Sequence, residues 1–278
     1  MKRLLSIELQ KIWKNKASRV LTITYFVLLS FIALIASVKF DFGPFHIDPA
    51  ENGIFNFPYI WHFNSYVADY ISFFLAIVIV SMMANEYSYG TLKQNLIDGM
   101  SKKEFILSKF LTVLLFAFAA TFFVFVMSLI LGYRFSSYTQ IDIVFTNMDY
   151  LLAFFVKLLG FFSFCLFLGI LIKRSAFALG FLLVWYIFEK ILYGILKFKV
   201  FNKSEIVDEF FKFMPLESFG NLLIEPYSRL SIIKKVGSQI GINGEKDYSV
   251  HLTSILIVLI WTILFIFYSY KLLKNRDL

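Results

Sequence analysis

The sequence is poor in the residues that build disulfide frameworks and catalytic centres. A single cysteine, Cys165, lies inside an apolar run, so neither an intramolecular disulfide nor a cysteine-based metal site is available. Histidines number three and prolines five. Two of the histidines, His46 and His62, share a region with Asp48, Glu51 and Asp69, but their spacing matches no metal-ligand pattern, and no metal is expected. No G-x-S-x-G, no H-E-x-x-H and no pair of carboxylates within an apolar run is present, so no catalytic residue is assigned. The phosphate-binding pattern G-x-x-x-x-G-K-[ST] is missing as well, and the glycine-rich stretch 237–244 has no preceding strand. Charged residues make up 17% of the chain, against about 25% in a soluble domain.

What is abundant is apolar. Of 278 residues, 59% are hydrophobic, 20% are aromatic and 36 are phenylalanine. The mean hydropathy is +0.74. These values point to a polytopic membrane protein in contact with the lipid bilayer. Even the longest polar stretch, 197–249, carries too many aromatic and aliphatic residues for a separate soluble domain, so one membrane domain over 1–278 is expected. Six apolar runs approach the roughly 20 residues needed to cross about 30 Å of hydrocarbon: Val20–Val38, Tyr66–Ala84, Phe110–Tyr133, Tyr150–Ile172, Ser175–Ile195 and Val250–Tyr270. The first, at 19 residues, exceeds a signal-peptide core of about 7–15 and is expected to be a retained span.

Residues 1–19 read as an amphipathic interfacial helix. Leu5, Leu9, Ile12 and Trp13 share one face, with Arg3, Lys11 and Lys14 opposite and Lys2 and Lys16 snorkelling at the ends. Tyr59, Trp61, Phe63, Tyr66 and Tyr70 read as an interfacial aromatic belt. The net charge of +8 suits the positive-inside bias better than nucleic acid, which is not expected as a partner. Six Lys and Arg lie in the N-terminal segment, four in 85–109, two at Lys173-Arg174 and three in the tail. The two short loops on the other side carry one each. Both termini and 85–109 are therefore expected to be cytoplasmic. The long segment 197–249, where seven acids nearly cancel eight bases, is expected outside. There, Ser204 opens one short helix, and Pro215 opens a second that stops before Pro226.

The segment 85–109 has its own architecture. Thr91 to Gln94 and Ser101 to Glu104 each fit a capping box, and Asp98-Gly99 is a turn signal. One helix over Leu92–Ile97 and a second from Lys102 into the third span are expected. The run Glu86, Gly90-Thr91-Leu92, Leu96, then Ser101-Lys102-Lys103, Phe105 and Lys109 resembles the cytoplasmic coupling segment of ABC-2-type transporter permeases. Ser108 stands where that family commonly has Gly. The likeness covers the whole chain in topology and about 25 residues in sequence.

The resemblance implies a permease subunit that couples ATP hydrolysis in a separate ATPase chain to export, without catalysis of its own. ATP and Mg would be bound by that ATPase, and a second permease subunit, identical or related, would complete the pore. By position, Glu86, Gly90 and Thr91 would set the start of the coupling helix. Leu92, Gln94, Leu96 and Asp98 would dock the ATPase, and Ser101, Lys102, Lys103 and Glu104 would stop it. The location implied is the cell (inner or plasma) membrane.

Charges within spans are candidates for function. Lys157 and Glu189 fall at similar depth, roughly 10 Å below the outer surface, and are expected either to pair or to snorkel separately, with Lys190 pointing outward. Glu189 is alternatively a contact for a cationic substrate. The expected fold is an all-α polytopic membrane protein. It has six transmembrane helices, an N-terminal amphipathic interfacial helix, a short cytoplasmic coupling helix and an outer helical segment between spans five and six. Two other classes fit the composition: a membrane enzyme or its non-catalytic anchor, and a secondary transporter, although neither inverted repeats nor broken helices are visible.

Overall fold

The computed structural model describes residues 2–42, 45–47, 53–201, 205–229 and 246–276. Twelve α-helices are described. α1 is Lys2–Lys14, α2 Lys16–Ala36, α3 Ile60–Ile71, α4 Phe73–Ser88, α5 Thr91–Ile97 and α6 Lys102–Phe135. α7 is Ile141–Val144, α8 Asp149–Ile172, α9 Ser175–Ile195, α10 Glu205–Phe211, α11 Pro215–Gly220 and α12 Leu252–Lys274. Among the described residues, five helices are long and apolar enough to cross a membrane, six if the bent pair α3–α4 is one span. That architecture is compatible with a polytopic membrane protein. One small addition to the helical reading is a two-stranded antiparallel ribbon, Phe40–Phe42 with Phe45–Ile47.

The bundle is built around α8. Most residues of α8 are buried while most of α2 and α9 are not, so α8 is the core and α2 and α9 are the periphery. Helices α3, α4, α6, α9 and α12 all pack on α8. Small residues allow the closest approaches, as is usual where lipid offers no hydrophobic push between helices. At Gly169 a Cβ would meet Met83 Cβ at 2.9 Å and the Val80 carbonyl at 3.3 Å.

The second span is longer than its hydropathy suggests and is broken. α3 and α4 meet at 45°. At the break Ser72 Oγ donates to the Asp69 carbonyl at 2.6 Å and Ser72 N donates to the same oxygen at 3.0 Å. A serine that bonds back to the preceding turn draws a carbonyl out of the i→i−4 ladder and bends the helix. The break was not visible in the hydropathy pattern, because Ser72 is a single small polar residue inside an apolar run.

α6 is 34 residues long, about 51 Å at 1.5 Å per residue, so it is longer than a bilayer core is thick. Its first turns are therefore a continuous extension of the span, as expected from the Ser101 cap. The bundle has two distinct ends. At one, the N-terminal helix, the 85–109 segment, the α8–α9 turn and the end of α12 meet; we call this the terminal end. At the other, Trp61 Nε1 donates to the Val144 carbonyl at 2.8 Å, and Tyr150 Oη donates to the Tyr248 carbonyl at 2.8 Å.

One surface expectation is corrected. Trp61 and Phe63 are buried, Trp61 stacked on Phe125, so they belong to the core and not to an aromatic belt; Tyr59 and Tyr70 are exposed. On α1 the inward face is Glu8, Lys11 and Ile12, while Leu9 and Trp13 point out. Between α9 and α12, α10 begins at Glu205, and α11 has Pro215 in its first turn as expected but ends at Gly220. Ser204, Asp48, Glu51 and 237–244 lie outside the described residues, and of His46 only its place in the ribbon is described.

The packing at Gly169 sets a test. Gly169→Leu should destabilise the detergent-purified protein by at least about 1–3 kcal/mol, read as a lower thermal midpoint. Gly180→Leu, in open space within α9, should not lower it, since leucine favours a helix over glycine by about 0.5–1 kcal/mol.

Candidate functional site

The terminal end is held by a network of buried charges. Lys109, in the third turn of α6, has no exposed surface. Its Nζ donates to Glu86 Oε1 at 2.5 Å and to Glu8 Oε2 at 2.6 Å, and lies 4.9 Å from the centre of the Phe105 ring. Glu86, at the end of α4, is 2% exposed and receives four donors. Lys109 and Lys11 reach Oε1, the latter at 2.8 Å; Thr91 Oγ1 and Asn95 Nδ2 reach Oε2 at 2.5 and 3.4 Å. Lys11 also lies 3.7 Å from Glu8 Oε1. Two carboxylates and two ammonium groups thus balance, and α1, α4, α5 and α6 each supply part of the network. Burying a charge is costly unless it is both paired and hydrogen-bonded, and here the donors meet that condition.

The backbone places these groups. Gly90 turns the chain in the left-handed region, φ +68°, and serves as the N-cap of α5. Thr91 is therefore the first helical residue, and its hydroxyl goes to Glu86. The expected Thr91 capping box does not form, because Gly90 takes the N-cap position and leaves Thr91 inside the helix. Asp98 closes α5, Gly99 turns at φ +96°, and Ser101 with Glu104 forms the expected capping box. Leu92 is buried and Leu96 half-buried against the bundle, so Leu92 braces α5 and is not presented for docking. The outward positions of the segment include Tyr89, Lys93, Gln94, Ile97, Asp98, Lys103 and Glu104, with Ile97 74% exposed. A cavity of about 380 Å³ opens beside the network between α1 and α4, bordered by Lys11, Asn15, Asn85 and Tyr89.

A second set of ties secures the same end. Arg276 Nη1 donates to the Ile170 carbonyl at 2.6 Å and to Tyr87 Oη at 3.0 Å, and Nη2 donates to the Leu171 carbonyl at 3.2 Å. Lys102 Nζ donates to the carbonyls of Lys274 and Arg276 at 3.1 and 2.9 Å. Each cation thus satisfies the open carbonyls at a helix C-terminus, where its charge also suits the dipole.

The intramembrane charges are arranged differently from expectation. Lys157 Nζ pairs with Asp69 Oδ2 at 2.7 Å, so the expected Lys157–Glu189 pair does not form. Glu189, 2% exposed, accepts from Trp185 Nε1 at 2.7 Å, Glu217 N at 3.1 Å and Leu216 N at 3.3 Å. It therefore holds the start of α11 against α9. Lys190 pairs with Glu217 at 2.6 Å. Sequence reasoning missed Glu8, Lys11 and Asn95. One signal was present: Glu8 is the lone acid in residues 1–40 and stands four residues before Ile12.

Fold and site together define a helical chain of multi-pass character whose terminal end is braced by buried ions. The chain belongs to the family described as "Protein of unknown function (DUF2705)", whose profile matches residues 20–278. α1, with Glu8 and Lys11, precedes the matched region. The chain is also similar to the "Uncharacterized protein YhcI" of Bacillus subtilis (strain 168), 32% identical over 98 residues. That match covers 33% of this chain and 29% of the relative, so it spans less than a third of that curated protein.

The network predicts strong coupling. Lys109→Met should cost about 3–5 kcal/mol, because two carboxylates lose their shared partner. Adding Glu86→Gln should cost much less than it does alone, a non-additivity above about 1 kcal/mol in a double-mutant cycle of unfolding in mixed micelles. Additive costs would show that the four helices are not tied through these side chains.

Proposed function

We propose that this chain is the membrane-spanning permease subunit of an ATP-driven exporter of the ABC-2 type, with ATP and Mg bound by a separate ATPase chain. The observation that carries the reading is the α4–α5–α6 hairpin. It is a short helix with fixed turns at both ends, braced from behind by buried ions and presenting Lys93, Gln94, Ile97 and Asp98 outward. Such a hairpin suits the transmission of force. Closure of paired ATPases would push α5; Glu86 and Lys109 would pass the load to α1 and to α6, which continues unbroken into its span. The bundle would then switch between two arrangements. The clustering of basic segments at the terminal end favours a cytoplasmic location for both termini in the cell membrane. A second permease subunit, the same chain or a related one, would share the pore.

One observation favours a second reading. The break at Ser72, three residues from an Asp69 paired with Lys157 of α8, is a feature of secondary transporters, whose ion and substrate sites use discontinuous helices.

The two readings separate on co-purification. The tagged chain, co-expressed with an ATPase encoded in the neighbouring reading frame, should retain it through affinity purification. Ile97→Asp or Asp98→Lys should reduce the retained ATPase by roughly ten-fold or more, the loss of a docking contact worth about 1.4 kcal/mol, with no change in thermal midpoint. Failure of the wild type to retain any ATPase, or indifference to both substitutions, would overturn the exporter reading.

A further inference from the structure

The Asp69 region has the chemistry of a ligand site distinct from the terminal-end network. Tyr66, Asp69 and Tyr70 stand at i, i+3 and i+4 on α3 and share one face of that helix. The Tyr66 and Tyr70 rings meet edge to face at 5.1 Å, with their hydroxyls 3.0 Å apart. Tyr227, from the outer segment, meets Tyr66 at 5.7 Å, so three aromatic rings gather at the part of α3 that carries Asp69. Glu225 lies within electrostatic reach of Tyr66 and Tyr227, itself paired with Lys246 at 2.5 Å.

Two features point to a ligand and set its charge. In the pair Lys157–Asp69 the cation is the more enclosed partner, its side chain 10% exposed against 22% for Asp69, so the pair presents its carboxylate outward. Asp69 Oδ1 has no hydrogen-bond donor among the described residues. On the other flank, Tyr25 Oη of α2 is buried without a hydrogen-bond partner and lies within reach of the Asp69 charge. A carboxylate beside electron-rich ring faces is a recognised means of holding an organic cation.

We propose that Asp69, with the rings of Tyr66, Tyr70 and Tyr227, binds a monovalent cationic amphiphile, which takes Asp69 over from Lys157. Lys157, eight residues into α8, then swings toward the outer end of its helix along its own apolar stem. The exchange releases α3 from α8 on the outer side of the Ser72 break, so occupancy and the angle of the broken span are linked. This inference goes beyond the exporter reading. Binding is measured on the full chain without any ATPase, so either can fail while the other stands.

The test is equilibrium dialysis of the detergent-purified protein against radiolabelled tetraphenylphosphonium, a permanent cation whose charge does not change with pH. Asp69→Asn should weaken binding by about ten-fold, the loss of one partly exposed ion pair. Lys157→Met removes the competing ammonium group and should tighten binding several-fold. The double substitution Tyr66→Leu with Tyr70→Leu, at positions outside the buried core, should weaken it by about three-fold or more. Binding of tetraphenylborate, of the same shape and opposite charge, should not be weakened by Asp69→Asn. Unchanged binding in Asp69→Asn would overturn the proposal. So would equal loss in Asp69→Asn and Lys157→Met, which would make the pair a brace between α3 and α8 and nothing more.

Discussion

An ammonium group with no water around it governs the terminal end of this protein. Lys109 cannot remain charged in a dry interior unless acceptors surround it, and the chain supplies them from two helices that are far apart in sequence, Glu8 in α1 and Glu86 in α4. Two carboxylates around one cation leave an excess negative charge, and Lys11 answers it from the side that still touches solvent. Once these four groups are fixed, α1 can no longer float at an interface as an independent amphipathic helix. It becomes part of the bundle. The turn at Gly90 and the Thr91 hydroxyl tie α5 into the same cluster.

The opposite half of the bundle obeys a related rule with a different outcome. Asp69 and Lys157 also neutralise each other, yet Asp69 is not fully enclosed, and the span that carries it is broken three residues further on. A closed network with four donors on one carboxylate makes a rigid joint. An open pair beside a helix break makes a place that can rearrange. The chain thus combines a stiff terminal end with a less constrained region nearer the other end, and α6 and α8 run between them. Glu189 adds a third solution: among the described residues it is paired to no cation, and it is stabilised by the Trp185 indole of α9 and the two amide N–H groups that begin α11.

Much of this was legible in the sequence, for identifiable reasons. Local chemistry was read well. The Ser101–Glu104 cap, the Gly99 turn and the continuity of α6 follow from neighbouring residues and need no knowledge of the fold. Contacts between distant segments were read poorly. A helical wheel assigns Lys11 to water because it cannot see Glu86, 75 residues away. Hydropathy cannot tell an interfacial tryptophan from a buried one, so Trp61 was placed in a belt. The pairing of Lys157 failed on a span boundary. Reading the second span from Tyr66 leaves Asp69 near the surface. Its start at Ile60, six residues earlier, sinks Asp69 by about 9 Å, to the depth of Lys157.

The central claim is that buried ions make α1 and the α5 hairpin one rigid body. Cys165 is the lone cysteine and is buried, so spin labels can be placed at will on cysteines replacing Gln10 in α1 and Lys93 in α5, both exposed. Double electron–electron resonance between them should give a single narrow distance distribution. That distribution should broaden or split when Lys109→Met is added, in protein that still shows its native helical content. A distribution equally narrow with and without Lys109 would contradict the account.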